Sequence, residues 1–402
     1  MTLEDIDLLD LDKWEENVPY DWFDRLRTED PIHPQTSPSG TVFWSLTRYA
    51  DVVEVSRDTR RFSSALTGVG IAPMTEQVPG ISDMMHLTDP PQHTRLRKLV
   101  SRAFTPRTVA ALEHAVREHV RSAVAAVSDQ GKCDFVHDIA AEVPLLVICE
   151  LLGIPVSDRG LILDWTNRMM GAEDPEYAAG PEDAMQAAME MWGYANELGN
   201  SRRTSPSNDV ISLLLGDDET GSDALTPGEF DGFFQLLAAA GNETSRTLIS
   251  GGMLALIGHP DSVAEIRQNP SSLSTAVEEM LRWTTPVHYF ARTVVADTTI
   301  GGRTVRRGDR VILWYSAANR DPTVFAEAGV FDILRSPNPH VSFGGGGAHF
   351  CLGANLARME ARTVFDELFS LLPDLELDGP VERMRSNMFN GIKHLPVRWT
   401  MG

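Results

Sequence analysis

Residues 340–353 read HVSFGGGGAHFCLG, four consecutive glycines (Gly344 to Gly347), a histidine and one of only three cysteines within fourteen residues. Glycine reaches backbone angles closed to other residues and lets another group approach the main chain closely. Beyond Gly353 the apolar residues recur at three- and four-residue spacing through 353–372, which predicts a helix. A thiol held just ahead of a helix start meets the positive end of the dipole and oriented amides, both of which favour thiolate. The loop therefore suits Cys351 to act as an anionic sulfur ligand. A glycine-rich turn with a buried free cysteine is the plainer reading of the same residues. A phosphate loop is a third, but the stretch lacks the Gly-Lys-Ser/Thr ending that such loops place on phosphate and magnesium.

The 402 residues, 42% of them hydrophobic, suffice for a sizeable core and for either one domain or two. Thirty-five basic against fifty-seven acidic residues give a net charge of -22, which repels phosphate backbones and anionic lipid surfaces and argues against a nucleic-acid or membrane partner. The first thirty residues are acid-rich and show no basic start followed by an apolar run, so neither signal peptide nor anchor is expected and a cytoplasmic location is. Cys133 and Cys149 have no CxxC spacing and read as ordinary buried thiols.

Helical periodicity runs through 94–126, 138–152, 182–199, 227–258, 273–283 and 353–372, while strand signals are confined to 41–46, 291–300, 303–305 and 310–314. The chain is therefore expected to be mostly α with minor β. The Pro/Gly/acid-rich pieces at 171–183 and 216–223 are too short for linkers, so 1–402 is read as one domain. The longest helix is signed at both ends, by Thr226-Pro227-Gly228-Glu229 and by Gly258-His259-Pro260. Asn242, Glu243 and Arg246 interrupt its apolar run and exclude a membrane span.

Phe343 with the glycines, then His349-Phe350-Cys351-Leu352-Gly353-Ala354 and Leu356-Ala357-Arg358, resembles the haem-binding signature of the cytochrome P450 monooxygenases. The resemblance implies that family's fold, with haem b (iron protoporphyrin IX) between the long helix and the helix after the cysteine, and Cys351 on the iron. The family's commonest spacing from Phe to Cys is one residue shorter than that of Phe343 to Cys351, and the longer loop resembles a bacterial subset acting on sterols and branched lipids.

Three further motifs agree. Ala240-Gly241-Asn242-Glu243-Thr244 puts a glycine and polar residues in mid-helix, where Gly costs about 1 kcal/mol relative to Ala. A solvated face with a Glu243/Arg246 pair is one explanation. The family's oxygen-activation motif implies another: Gly241 lets the helix distort over the haem beside Ala240, Thr244 contacts dioxygen, and Glu243 relays protons. In Glu278-Glu279-Met280-Leu281-Arg282, either acid could pair with Arg282; the resemblance implies a buried structural network of Glu279, Arg282 and Arg335. His93 and Arg97 lie four apart and share a helix face, and with Arg292 and His349 they match the family's contacts to the two haem propionates. Gly353 and Phe343 complete the cofactor set.

For the substrate, the resemblance maps Met84, Met85, Met169, Met170, Leu237, Val287, Phe290, Met388 and Phe389 to the pocket, and methionine suits a pliable apolar wall. Steroid, terpenoid, fatty acid and polyketide-like substrates are all compatible. The chain has no dinucleotide fingerprint, so electrons derived from NAD(P)H are expected through a separate ferredoxin reductase and ferredoxin. Arg97, Lys98, Arg102 and Arg107 are candidates for the docking patch, and a monomer is expected. A peroxide-driven enzyme and a non-catalytic haem sensor or carrier are the alternatives, the first disfavoured by Glu243 and Thr244.

Overall fold

The computed structural model describes residues 2–74, 81–206, 210–216, 224–372 and 374–400. Most of these residues are helical, and the strands form four small sheets. The axis of the molecule is the helix Pro227–Ile257, whose 31 residues span roughly 45 Å. Its start is closed by a reciprocal cap in which Thr226 Oγ1 accepts from Glu229 N at 3.3 Å and Glu229 Oε2 accepts from Thr226 N at 3.0 Å. Around it pack Glu142–Leu152, Pro181–Thr204, Leu273–Thr284 and Ala354–Leu371, so its middle is buried on nearly every side.

The periodicity that reads as one helix over 94–126 belongs to two, Gln92–Val100 and Pro106–Val127, joined by the 3₁₀ turn Ser101–Phe104. Pro106 has no N–H to continue the first helix and forces the residue before it out of the helical region. Thr105 is accordingly extended (φ −67°, ψ 153°) and caps the second helix by accepting from Thr108 N at 3.2 Å. The 138–152 helix is preceded by a wider turn over Val136–Ala140 before regular helix begins at Glu142. The expected strand 291–300 is two strands, Tyr289–Val294 and Thr298–Ile300, which belong to different sheets. Of the acid-rich piece at 216–223, residues 217–223 lie outside the described residues.

The largest sheet has the order Ile32–Thr36, Val42–Leu46, Arg310–Trp314, Tyr289–Val294, Phe62–Ser63. Arg310–Trp314 runs parallel to Val42–Leu46 and antiparallel to Tyr289–Val294, with Arg292 opposite Val311. Ile32–Thr36 carries too little apolar alternation to be recognised alone; it forms because hairpin pairing places Ile32 opposite Leu46. Among the described residues no helix is long and apolar enough to cross a membrane.

Candidate active site beside Cys351

The loop before Cys351 reverses the chain. Gly344, Gly346 and Gly347 have φ of +90°, +93° and +79°, which only glycine adopts readily. The close approach these glycines allow is to protein: a Cβ on Gly347 would lie 2.9 Å from both the Arg57 Cα and the Ser56 carbonyl oxygen, at the end of the helix Tyr49–Arg57. Arg57 Nε donates to the Gly345 carbonyl at 3.0 Å. Only Gly344 of the run faces the interior cavity. Cys351 N donates to the Phe343 carbonyl at 3.0 Å, closing the loop under the sulfur. Burial pushes the Cys351 thiol up, opposed by the Gly353 N–H and by the charges of Arg97 and Arg358. The other two thiols are raised by burial as well, Cys133 to about 12 and Cys149 to about 11, which leaves them inert.

Cys351 opens onto a cavity of about 690 Å³ between the central helix and the helix Ala354–Leu371. One wall carries His86, His93, Arg97, Arg292 and His349. The rings of His93 and His349 are 4.2 Å apart, and His349 Nε2 lies 3.3 Å from Ser64 Oγ. Arg292 is 4% exposed and, among the described residues, donates only to its neighbour's carbonyl, Ala291 O, at 2.8 Å. Among the described residues no carboxylate forms an ion pair with Arg97 or Arg292. Burial depresses the imidazoles, His86 and His93 to about 4. A buried guanidinium, Arg292, and a half-buried one, Arg97, both without a carboxylate partner among the described residues, call for a ligand with two anionic groups. A thiol across the cavity from the central helix, apolar walls and two cations without a carboxylate partner among the described residues fit a haem, which Cys351 would hold by its iron and this wall by its propionates.

Nearly every residue read as a site residue lines this cavity: Phe343, Gly353, Ala240, Gly241 and Thr244, and the pocket set Met84, Met85, Met169, Met170, Leu237, Val287, Phe290, Met388 and Phe389. Glu243 does not. Its carboxylate turns away to a buried ion pair with Arg246 on the same helix and accepts from Thr247 Oγ1 at 3.2 Å. Behind it Arg246 Nη1 donates to Asn167 Oδ1 at 2.9 Å, and the guanidinium stands 5.5 Å from the Tyr177 ring. Burial pushes the Glu243 carboxyl up while Arg246 opposes. The helix continues without a break through Gly241. A Cβ at this position would meet the end of the Ile148 side chain on the neighbouring helix, which would have to shift to admit it. Arg97 faces the cavity rather than the surface patch expected of it, whereas Lys98, Arg102 and Arg107 are exposed.

The network of Glu279, Arg282 and Arg335 is buried as one unit. Arg282 Nη2 lies 2.6 Å from Glu279 Oε1 and Arg335 Nε 3.2 Å from Glu279 Oε2. Glu278, the competing partner for Arg282, instead takes Arg358 at 2.6 Å and His340 at 3.0 Å.

A polar pair escapes sequence reading. Ser245 Oγ donates to Glu360 Oε2 at 2.7 Å at the cavity edge, and Glu360 is 2% exposed with no other hydrogen-bond partner for its carboxyl among the described residues. Burial raises Glu360 to about 8. A carboxyl whose folded pKa lies above its unfolded value contributes stability below the unfolded value, which is lost as pH rises through the folded one. Glu360→Gln should therefore gain on the wild type by about 2–4 kcal/mol between pH 5 and pH 8. Urea midpoints of both proteins across that range measure it, and parallel curves would place the carboxyl's titration elsewhere.

Residues 182–372 match the Cytochrome P450 family model. The steroid C26-monooxygenase of Mycolicibacterium smegmatis is 40% identical over 406 residues, covering 98% of this chain and 94% of that protein. This chain belongs to the cytochrome P450 family. The methyl-branched lipid omega-hydroxylase of Mycobacterium tuberculosis is likewise 40% identical over 410 residues, with 99% and 95% covered. A Mycobacterium marinum cytochrome P450 in complex with pseudoionone superposes with a TM-score of 0.91 at 36% identity, covering 98% of each chain. The P450 is thus a haem-dependent monooxygenase of mostly helical fold with small sheets, as the cysteine signature led us to expect.

Proposed function

We propose that this P450, as one domain over 1–402, hydroxylates an elongated hydrophobic substrate of the sterol or methyl-branched lipid class. The observation that carries the proposal is the cavity beside Cys351, whose wall away from the basic groups is built almost entirely from Met, Leu, Phe, Val and Ala. Relatives that share 40% of the sequence act, by their names, on steroids and on branched lipids. When bound, the haem supplies dioxygen activation, and a thiolate ligand favours O–O cleavage.

The protein's own groups then have separate tasks. Cys351 would hold the iron, and Arg97 and Arg292, with His93 and His349 as further hydrogen-bond donors, would neutralise and orient the propionates. Thr244 Oγ1 donates its own proton to the Ala240 carbonyl at 2.5 Å. Its lone pairs are therefore free to accept from a protonated group or water on the cavity side. Glu243 can serve as a proton source only by leaving Arg246, whereas the Ser245–Glu360 pair already holds a proton at the cavity edge. The methionines exclude water and adapt to the substrate's outline.

Electrons come, in this proposal, from NAD(P)H through a separate reductase and ferredoxin. The exposed Lys98, Arg102 and Arg107 offer an acidic carrier a basic landing site on an otherwise acidic, monomeric, cytoplasmic protein. Ligand screens that follow the haem spin state as sterols and branched lipids displace distal water test the substrate class; no response to either would overturn it.

Thr244→Ala should retain haem but lower the product formed per electron consumed roughly tenfold or more, with the balance released as peroxide. Parallel assays of NAD(P)H, peroxide and product check this. Unchanged coupling would remove Thr244 from proton delivery.

A further inference from the structure

Along the cavity, polar side chains gather at the basic wall and near Cys351, Thr244 and Glu360. Gln235 stands apart from both groups. It lies nine residues before Thr244 on the central helix, roughly 13–14 Å along the axis at about 1.5 Å per residue. Its side faces the helices Arg159–Met170 and Pro181–Thr204, where the cavity neighbours are Met169, Met170, Met185 and Ala188.

Gln235 is 3% exposed, yet its hydrogen bonding is incomplete. Nε2 reaches only the Ala188 carbonyl at 3.5 Å and the Met169 sulfur at 3.6 Å, the long limits of such contacts. Oε1 accepts no hydrogen bond among the described residues, and it is not sealed from the cavity. An apolar group laid against that open amide would strip its oxygen of water without replacing the hydrogen bond, a penalty that a leucine or methionine in the same space would not impose. What the amide retains in exchange is one acceptor and one weakly used donor at the far end of an apolar chamber.

We infer that Gln235 is a specificity-determining residue that binds an alcohol or ketone oxygen at the end of the substrate remote from the oxidised carbon. A hydroxyl donates to Oε1, and a carbonyl accepts from Nε2, so one amide serves both oxidation states. The substrate class is then an elongated apolar skeleton with an oxygen function at one terminus, its other terminus lying beside Thr244 and Cys351. This assignment rests on the monooxygenase reading above and narrows it.

The test compares dissociation constants, measured by calorimetry on the haem-loaded protein, for cholestan-3-ol, cholestan-3-one and the parent hydrocarbon cholestane. The wild type should bind the two oxygenated ligands about 10- to 100-fold tighter than the hydrocarbon. Gln235→Met and Gln235→Leu, two replacements of similar volume, should bring that ratio to within about threefold. A wild type without the preference, or variants that keep it, would overturn the role of Gln235. The reduced, carbon-monoxide-bound spectra of the same samples report separately on the haem-thiolate site, so failure of that reading shows as a lost thiolate signature and not as a changed ratio.

Discussion

Cys351→Ser should eliminate the red-shifted Soret band of the reduced, carbon-monoxide-bound protein and end oxygen insertion altogether. The serine hydroxyl is a far weaker acid than a thiol and a harder donor, so it provides no anionic, polarisable ligand at neutral pH. The loop should survive the exchange, since its closing bond runs from the residue-351 N–H to the Phe343 carbonyl and uses no side-chain atom. The fold around it should also survive, because Arg57 and the Val53–Arg57 backbone hold the glycines from the other side. Circular dichroism with the spectrum therefore separates loss of ligation from loss of structure. A wild type lacking the red shift, or a Ser variant that retains it, would remove Cys351 from the iron.

The second large effect lies in a group that touches no substrate. Glu279→Gln should cost about 3–5 kcal/mol of stability, read as a lower denaturant midpoint, and should weaken haem retention. Glu279 is fully buried and accepts from Arg282 through both oxygens (2.6 and 2.8 Å), from Arg335 Nε, from Asn338 Nδ2 at 3.0 Å and from Asp332 N at 2.8 Å. Arg282 in turn donates to the carbonyls of Asn319, Ala328 and Val330. An amide in place of the carboxylate removes the one carboxylate that, among the described residues, pairs with Arg282 and Arg335, and turns one acceptor into a donor aimed at other donors. Asn338 and Asp332 belong to the segment that leads into the cysteine loop, which is how damage here reaches the haem side. A midpoint within about 1 kcal/mol of wild type would reduce the cluster to an ordinary surface-type pair.

How much of this was legible in the linear sequence varied by kind of information. Helix ends were readable where chemistry is local: Thr226 and Glu229 cap each other three residues apart, and the central helix begins at Pro227 as they indicate. The break at Thr105–Pro106 was equally local, and was overlooked because apolar spacing runs straight through it. Ile32–Thr36 had no such mark, since its partner supplies the reason for its conformation.

The site divides in the same way. Cys351, Thr244 and, on the basic wall, His93, Arg97, Arg292 and His349 were named by motif, because a ligand and its loop occupy one short stretch and His93 and Arg97 share one helix face; His86 of the same wall belongs to no motif and was found only in the structure. The direction of Glu243, the carboxyl of Glu360 against Ser245, and the open amide of Gln235 depend on side chains separated by up to 115 positions.

By itself the sequence determined the class of protein, the sulfur ligand and the position of the central helix, since each is written in residues close together in the chain. Only the tertiary structure decided what the glycines before Cys351 pack against, which acid faces the cavity and where a polar group interrupts its apolar wall. Those outcomes depend on burial and on partners brought in by other elements, and neither is encoded in local spacing.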